Sequence, residues 1–190
     1  MNVQASIRDA VARARIETSD FDLNPNIQLA KGRKLRDAAV LIGITENSHV
    51  VLTKRSSKLQ HHPGQIAFPG GKVDNGDSGL VATALREADE EIGLPQDQFT
   101  VLGQLPCHVT VTGFRVTPIV AQITGAFAPI PELGEVEEVF SVPLAHVLNA
   151  DNYRIERRRW RGEWRHFYIV PFGPYYIWGA TARMLRNLAT

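Results

Sequence analysis

The stretch from Phe68 to Pro95 constrains this chain more than any other part of it. Leu80, Val81, Ala84, Leu85, Ala88 and Ile92 recur at helical spacing and, at about 100° per residue, share one broad arc. Gly93 stops the pattern and Pro95 lies beyond it, so the spacing predicts a helix from about Gly79 to Ile92. Glu87, Glu90 and Glu91 lie on the adjoining arc at i, i+3 and i+4. Carboxylates so placed are neighbours and repel one another. A cation would offset them, and oxygen donors without His or Cys are the ligand set of a hard ion, Mg²⁺ or Mn²⁺. The competing reading of the helix alone is a solvated acidic face with Arg86 and Lys72 as ion-pair partners. Ahead of the helix, Gly70-Gly71 follows Phe68-Pro69. Paired glycines let a backbone approach a ligand and expose its carbonyls. Asp77 stands where an N-cap is expected.

The rest of the chain frames this segment. The 190 residues are enough for one domain of ordinary size, and 44% hydrophobic with 22% charged residues excludes wholesale disorder. Twenty-one Lys and Arg against twenty Asp and Glu leave a formal charge of +1, which argues neither for nor against a polyanionic partner. The lone Cys107 excludes an intramolecular disulfide and a Cys-rich zinc site, and reads as a small buried hydrophobe. No apolar run approaches the ~18 residues of a membrane span, and the N-terminus has no apolar h-region. The expectation is a cytoplasmic protein with no membrane partner.

Along the chain, Ile7, Val11 and Ala14 predict an amphipathic helix over 4–17, and the polar residues 19–36 read as a linker. The resulting division is an N-terminal helix and linker, 1–35, ahead of a main domain, 36–190. Residues 38–44 read as a buried strand, with 49–53 as its hairpin partner and 54–71 as loop. Further strands are expected at 99–104, 115–123 and 136–142, a short helix at 144–149, a hairpin at 153–170 bent near Gly162, and a last helix at 175–189. Tyr176 and Trp178 read as packing residues of that helix. Strands and helices mix without regular βαβ alternation, so the fold class is α/β, a sheet covered by helices. Arg157-Arg158-Arg159-Trp160-Arg161, with Trp164, Arg165 and His166, interleaves cations with aromatics as single-stranded nucleic-acid binders do. The near-neutral chain weighs against that binding module and favours a reading with no nucleic-acid partner.

Gly71, Asp77, Arg86-Glu87-Ala88, Glu90-Glu91 and Gly93-Leu94 together resemble the Nudix box, G-x5-E-x7-R-E-U-x-E-E-x-G-U. Asp77 replaces the first box Glu, and eight residues rather than seven separate it from Arg86. Upstream, Leu52-Thr53-Lys54-Arg55-Ser56 and Gly64 to Gly71 resemble the signature of the coenzyme A pyrophosphatase branch, L-L-T-x-R-[SA]-x3-R-x3-G-x3-F-P-G-G, with Val51 and Gln60 as the two departures. The resemblance runs from about residue 36 to the C-terminus. It implies a Nudix-type α/β/α sandwich, with a mixed sheet flanked by helices. It also implies hydrolysis of a nucleoside-linked diphosphate, here CoA or acyl-CoA split into 3′,5′-ADP and 4′-phosphopantetheine. ADP-ribose, NADH or a nucleoside triphosphate are the rival substrates. By the same resemblance, Glu87, Glu90 and Glu91 hold the metal with help from the carbonyl of Gly70. Arg86 pairs with a box glutamate and fixes its rotamer. The general base is Glu90 or one of Glu135, Glu137 and Glu138. Arg55 and His62, with Lys54, Lys58 and His61 nearby, approach the substrate beside Gly70 and Gly71. The partner is a small molecule, and the N-terminal helix and the hairpin are the two surfaces on which a homodimer could form.

Overall fold

The run from Ala38 to Ile44 is apolar on both its odd and even positions because its strand is covered on both faces, as parallel pairing requires. In the computed structural model, which describes residues 3–27, 29, 32–160 and 162–189, this run lies in β2 (Arg36–Ile44). It pairs in parallel with β8 (Phe114–Ile123) over nine positions, from Arg36↔Phe114 to Ile44↔Gln122. Ala39 and Leu41, with Ile119, Ala121 and Ile123 of β8, face helix α2 (Leu80–Ile92), whose Ala84, Ala88 and Ile92 are buried against them. Ala38, Ile42 and Ile44 face a second core. It is closed by α1 (Val3–Arg13), α3 (Leu144–Leu148) and α4 (Gly179–Leu188), through Ile7, Ala10, Leu144, Val147, Met184 and Leu185. Small Ala side chains on both partners let α2 sit close to the sheet. The result is a mixed sheet between helices, as expected.

The other strands are β1 (Thr18–Ser19), β3 (His49–Arg55), β4 (Ile66–Ala67), β5 (Gly70–Lys72), β6 (Phe99–Gln104), β7 (His108–Val109), β9 (Val136–Pro143), β10 (Arg154–Trp160) and β11 (Glu163–Ile169). The sheet runs β1-β7-β8-β2-β3-β4, with β5 on β2, β6 on β8 and β9 on β3; β10 and β11 form a separate hairpin. A short 3₁₀ turn, Ala150–Asn152, follows α3.

Four expectations change. Strand β3 is not the full hairpin partner of β2. The two pair only at Ile44↔Val50, and β3 instead pairs with β9 from His49↔Pro143 to Arg55↔Val136. The reason lies in 54–71, which is not all loop: β4 takes the edge of β3 at Thr53↔Ala67, and β5 takes the edge of β2 at Ala38↔Lys72. The segment 66–72 thus wedges the two strands apart, and the sheet forks around it. At the C-terminus the last helix starts at Gly179, not 175. Ile169 bridges Trp178 and Val170 N–H donates to Ile177 O, so the residues before Gly179 are extended. Tyr176 and Trp178 therefore precede the helix instead of packing within it. The N-terminal helix ends at Arg13.

The polar residues after it are fastened to the body of the protein. Thr18–Ser19 pairs with β7, and Asn24 exchanges two hydrogen bonds with the backbone of His166 at 2.8 and 2.9 Å. Cys107 is partly exposed, and burial with Glu17 nearby pushes its thiol up, away from reactivity. Arg161 of the basic run lies outside the described residues, as do residues 1, 2, 28, 30 and 31 of the N-terminal segment. Among the described residues no helix is long and apolar enough to cross a membrane.

Candidate active site

The two glycines at the fork have separate reasons to be glycine. Gly70 has φ 155°, and a Cβ there would lie 2.5 Å from Ala39 O. A Cβ on Gly71 would lie 2.4 Å from Glu87 Oε1, on top of that carboxylate. Strand β5 therefore presses against β2 on one side while Glu87 lies against its bare backbone. Leu41 N–H donates to Pro69 O and Val73 N–H to Asp37 O. Because hydrogen-bonded and non-bonded pairs alternate along an antiparallel ladder, Val40↔Gly70 is a non-bonded pair. Both the N–H and the C=O of Gly70 are thus turned away from β2. The N–H donates to Glu91 Oε2 at 3.2 Å, and the carbonyl shares that side.

Helix α2 carries the acidic groups to this backbone. Its C-terminus closes as the sequence suggests: Gly93 has φ 66°, its N–H donates to Asp89 O, and Leu94 N–H reaches back to Ala88 O. Its N-terminus does not. Gly79, not Asp77, is the N-cap residue, and no side chain caps the helix. The extra residue between Asp77 and Arg86 carries Asp77 out of capping range and into a different task. Its Oδ2 accepts from Asp74 N–H at 2.9 Å and Thr83 Oγ1 at 2.8 Å, and its Oδ1 accepts from Arg86 Nε at 2.9 Å. These donors, Arg86 foremost, hold the Asp77 carboxyl far below the usual carboxylate range.

Arg86 is the hub of the site. Besides Asp77, it donates from Nη1 to Glu87 Oε1 at 3.0 Å and to Glu90 Oε2 at 2.9 Å, and from Nη2 to Lys72 O at 3.1 Å. One planar fork thereby ties β5, the loop after it and two carboxylates of α2 into one unit. The pairing of Arg86 with a box glutamate is present, and it is wider than the spacing alone suggests.

The three glutamates do not share one environment. Glu90 is 60% exposed at its side chain and turned to Arg86. Glu87 is half-buried, and burial, opposed by Arg86, raises its carboxyl. Glu91 is 5% exposed, and burial first, then the charges of Glu87 and Glu135, push its carboxyl up to about 8. Gly70 N–H and Arg55 act in the opposite direction. A buried carboxylate beside two of like sign is stable as an anion only with a cation close by. Among the described residues no three His, Cys, Asp or Glu side chains converge into a finished cage. Mg²⁺ takes one or two carboxylates and completes its shell with water and phosphate oxygens. The donors at hand fit that pattern: Glu91 and the outward carbonyl of Gly70, then Glu87 and the more exposed Glu90, each of which also accepts from Arg86 Nη1.

Of the three glutamates after Gly134, two are engaged. Glu137 accepts from Lys54 Nζ at 2.7 Å and Ser57 N–H at 3.1 Å, and Glu138 accepts from the Tyr175 hydroxyl at 2.5 Å. Glu135 is exposed, its carboxylate takes no hydrogen bond from the described residues, and its charge reaches Glu87 and Glu91. Lys54, one of the loop cations, is thereby committed to Glu137.

Arg55 links this centre to a cleft. Gly64 N–H donates to Arg55 O and Arg55 N–H to Gln65 O, so the loop from His62 to Gln65 folds back onto the end of β3. His62 adopts φ 55°, and burial, with Arg55 and His61 beside it, lowers its pKa. That loop is one wall of a cleft of about 530 Å³, and the other comes from Glu156, Arg157, Arg158, Phe167, Tyr176 and Trp178. Gln60, Lys58 and His61 lie exposed on the same loop or next to it. The hairpin and pre-helix residues of the cleft were not legible as site residues. The signal that could have flagged them was the mixture of Arg with aromatics, which reads equally as a surface.

The NUDIX domain family matches residues 34–162 of the chain. A protein of Enterobacter sp. (strain 638) named "Uncharacterized Nudix hydrolase NudL" is 38% identical over 185 residues, covering 92% of this chain and 96% of its own length. A protein of the same name from Klebsiella pneumoniae (strain 342) is 42% identical over 156 residues, 81% of each chain. Among solved structures, the MutT protein from Methanosarcina mazei Go1 superposes with a TM-score of 0.48 and 23% identity, over 63% of this chain and 84% of that one.

Proposed function

The chain belongs to the Nudix hydrolases, pyrophosphohydrolases of diphosphate bonds, and from that membership we propose that it cleaves coenzyme A or an acyl-CoA into 3′,5′-ADP and 4′-phosphopantetheine, or its acyl form. Nudix hydrolases generally need a divalent metal. The reading assigns Mg²⁺ or Mn²⁺ to Glu87, Glu91 and the carbonyl of Gly70. What carries it is the buried Glu91 carboxylate, which has no ion-pair partner among the described residues, beside Glu87 against bare glycine backbone, with Arg55 and a cleft nearby. The ion, when bound, neutralises the diphosphate and makes a water more acidic.

In the reaction a water oxygen forms a bond to one phosphorus while the bridging P–O bond breaks. The electron pair leaves on the bridging oxygen of the departing phosphate, and the water gives up a proton. Glu135 is the group assigned to take that proton, since Glu137 and Glu138 are engaged elsewhere. Arg86 is a positioning residue that orients Glu87 and holds Glu90. The charge of Arg55 acts on both Glu91 and His62, and the reading assigns it to the diphosphate.

The CoA assignment rests on the segment from Leu52 to Gly71. Its signature residues build the fork itself: Thr53 Oγ1 donates to Ala67 O, Phe68 is buried, and Gly70 and Gly71 admit Glu91 and Glu87. The test is hydrolysis of a panel of CoA, ADP-ribose, NADH and a dinucleoside polyphosphate, with and without Mg²⁺, and products identified by mass. CoA turnover that releases 3′,5′-ADP and stops on chelation is the expected result. ADP-ribose or NADH cleavage with no CoA turnover would move the substrate to those nucleotides.

A further inference from the structure

We propose that the cleft between the loop 62–65 and the β10–β11 hairpin binds the 3′-phosphoadenosine end of the substrate, with Arg158 on the 3′-phosphate and the aromatic wall on the base. The proposal rests on the CoA reading above and adds the subsite that would distinguish CoA from a nucleotide without the extra phosphate.

The charge of the cleft is the first argument. Register in the hairpin pairs Arg158 with Arg165 and Glu156 with Phe167. Cross-strand partners share a face, so both arginines lie on the face whose Glu156, Arg158 and Phe167 line the cleft. Like charges directly opposite repel, and Arg165 Nε is buried without a hydrogen-bond partner among the described residues. Arg157 adds a second guanidinium to the lining, and His62, whose pKa is lowered, adds an imidazole. The one carboxylate there, Glu156, is occupied by the Tyr176 hydroxyl at 2.5 Å. With Arg157 and Arg158 against Glu156, the lining keeps an excess of guanidinium that calls for an anion accepting several hydrogen bonds, and a phosphate monoester does so.

The aromatic wall is the second argument. Phe167 meets Trp178 edge to face at a 5.2 Å centroid distance, which holds the indole in the cleft. Tyr176 stands beside it, 45% exposed. Exposed aromatic faces next to arginine are where bases stack. The position of the cleft is the third. The loop 62–65 is hydrogen-bonded to Arg55, and Arg55 is also the cation felt by Glu91. A ligand with its diphosphate at Glu91 and Arg55 would lay its nucleoside into this cleft, whose volume of about 530 Å³ is in the range of small-molecule sites.

The experiment compares Arg158→Gln with Arg159→Gln, which removes the same charge from the opposite face of the same strand. KM is measured for CoA and dephospho-CoA, and 3′,5′-ADP and 5′-AMP are titrated into the metal-free protein. Loss of a charge-assisted hydrogen bond predicts a roughly ten- to hundredfold rise in KM for CoA and an equal weakening of 3′,5′-ADP. Dephospho-CoA and 5′-AMP should shift by no more than about twofold, on the scale of losing a screened surface charge. Arg158→Lys, which keeps the charge and loses the fork, should fall between. Arg159→Gln should move none of these values. Equal shifts for CoA and dephospho-CoA, or no shift for either, would overturn the subsite and leave the CoA reading standing. If the wild type fails to turn over CoA, the titrations decide alone. A preference for 3′,5′-ADP over 5′-AMP that Arg158→Gln abolishes keeps the subsite, and its absence ends it.

Discussion

The loop-helix segment 70–94 and the hairpin 154–169 are the two charge-dense regions of the molecule, and they handle charge in opposite ways. In the first, Arg86, the one arginine of the segment, is shared among Asp77, Glu87, Glu90 and the carbonyl of Lys72. What remains uncompensated is negative: Glu91, with Glu87 and Glu135 close by. In the hairpin, arginines face arginine across the ladder, Arg157 rests on Trp164 at 4.6 Å, and what remains is positive. The nearly neutral total therefore conceals two local excesses of opposite sign, one at each end of the proposed site. An acidic end suits a metal-bound diphosphate, and a basic end suits a phosphate that meets no metal.

The largest effect should come from removing the buried acid. Glu91→Gln, and Glu87→Gln beside it, should lower turnover by more than the roughly 10- to 100-fold typical of losing a metal's outer partner, with far-UV circular dichroism unchanged. Glu91→Gln also has a pH signature. In the folded metal-free protein burial pushes this carboxyl up to about 8, against 4.5 for an ordinary Glu. Between those values the folded state keeps a proton that the unfolded chain has lost, so stability falls as pH rises through that window. In EDTA the wild type should melt lower at pH 8.5 than at pH 5.5, and Glu91→Gln should flatten the difference. An equal slope in the variant would mean that Glu91 is not the group responsible.

Next comes Gly71→Ala. Its methyl group must displace the Glu87 carboxylate, and a displacement of about 1 Å at a reacting centre costs up to roughly a hundredfold. Measured kcat should fall while the melting temperature changes little. Arg86→Lys should follow, with roughly a tenfold loss, because an ammonium cannot span Asp77, Glu87 and Glu90 together. Added Mg²⁺ should not restore it. The smallest effect belongs to the hairpin: Arg157→Ala should cost no more than about 0.5–1 kcal/mol in urea unfolding, the worth of an exposed cation–π contact. A larger loss would show that the hairpin supports the fold as well as a ligand.

How well each region could be read follows the same division. Helix α2, its Gly93 terminus and the pairing of Arg86 with a glutamate lie within a few residues of one another, and local spacing decides them. Asp77 was misplaced as a cap because one additional residue before the helix changes what its carboxylate reaches. Strand β3 was paired with β2 because the turn between them is short, whereas β4 and β5 occupy the edges that such a hairpin would use. Tyr176 and Trp178 were read into the last helix, yet they stand two apart, the strand period, and Ile169 and Val170 draw their backbone into bridges.

By itself, the sequence determined the existence and type of most elements, the burial of β2 on both faces, and the row of acids that α2 presents to the paired glycines. These depend on periodicity and on residues close in the chain. Only the tertiary structure decided which of three adjacent glutamates is buried, which glutamate after Gly134 is left with an open carboxylate, and that the arginine hairpin closes a cleft beside Arg55. The physical reason is that charge and burial depend on what packs against a side chain. At Glu91 the neighbour is Gly70, and at Trp178 it is Phe167. Both come from other elements, brought there by a fork in the sheet and by where the hairpin packs, neither of which local spacing encodes.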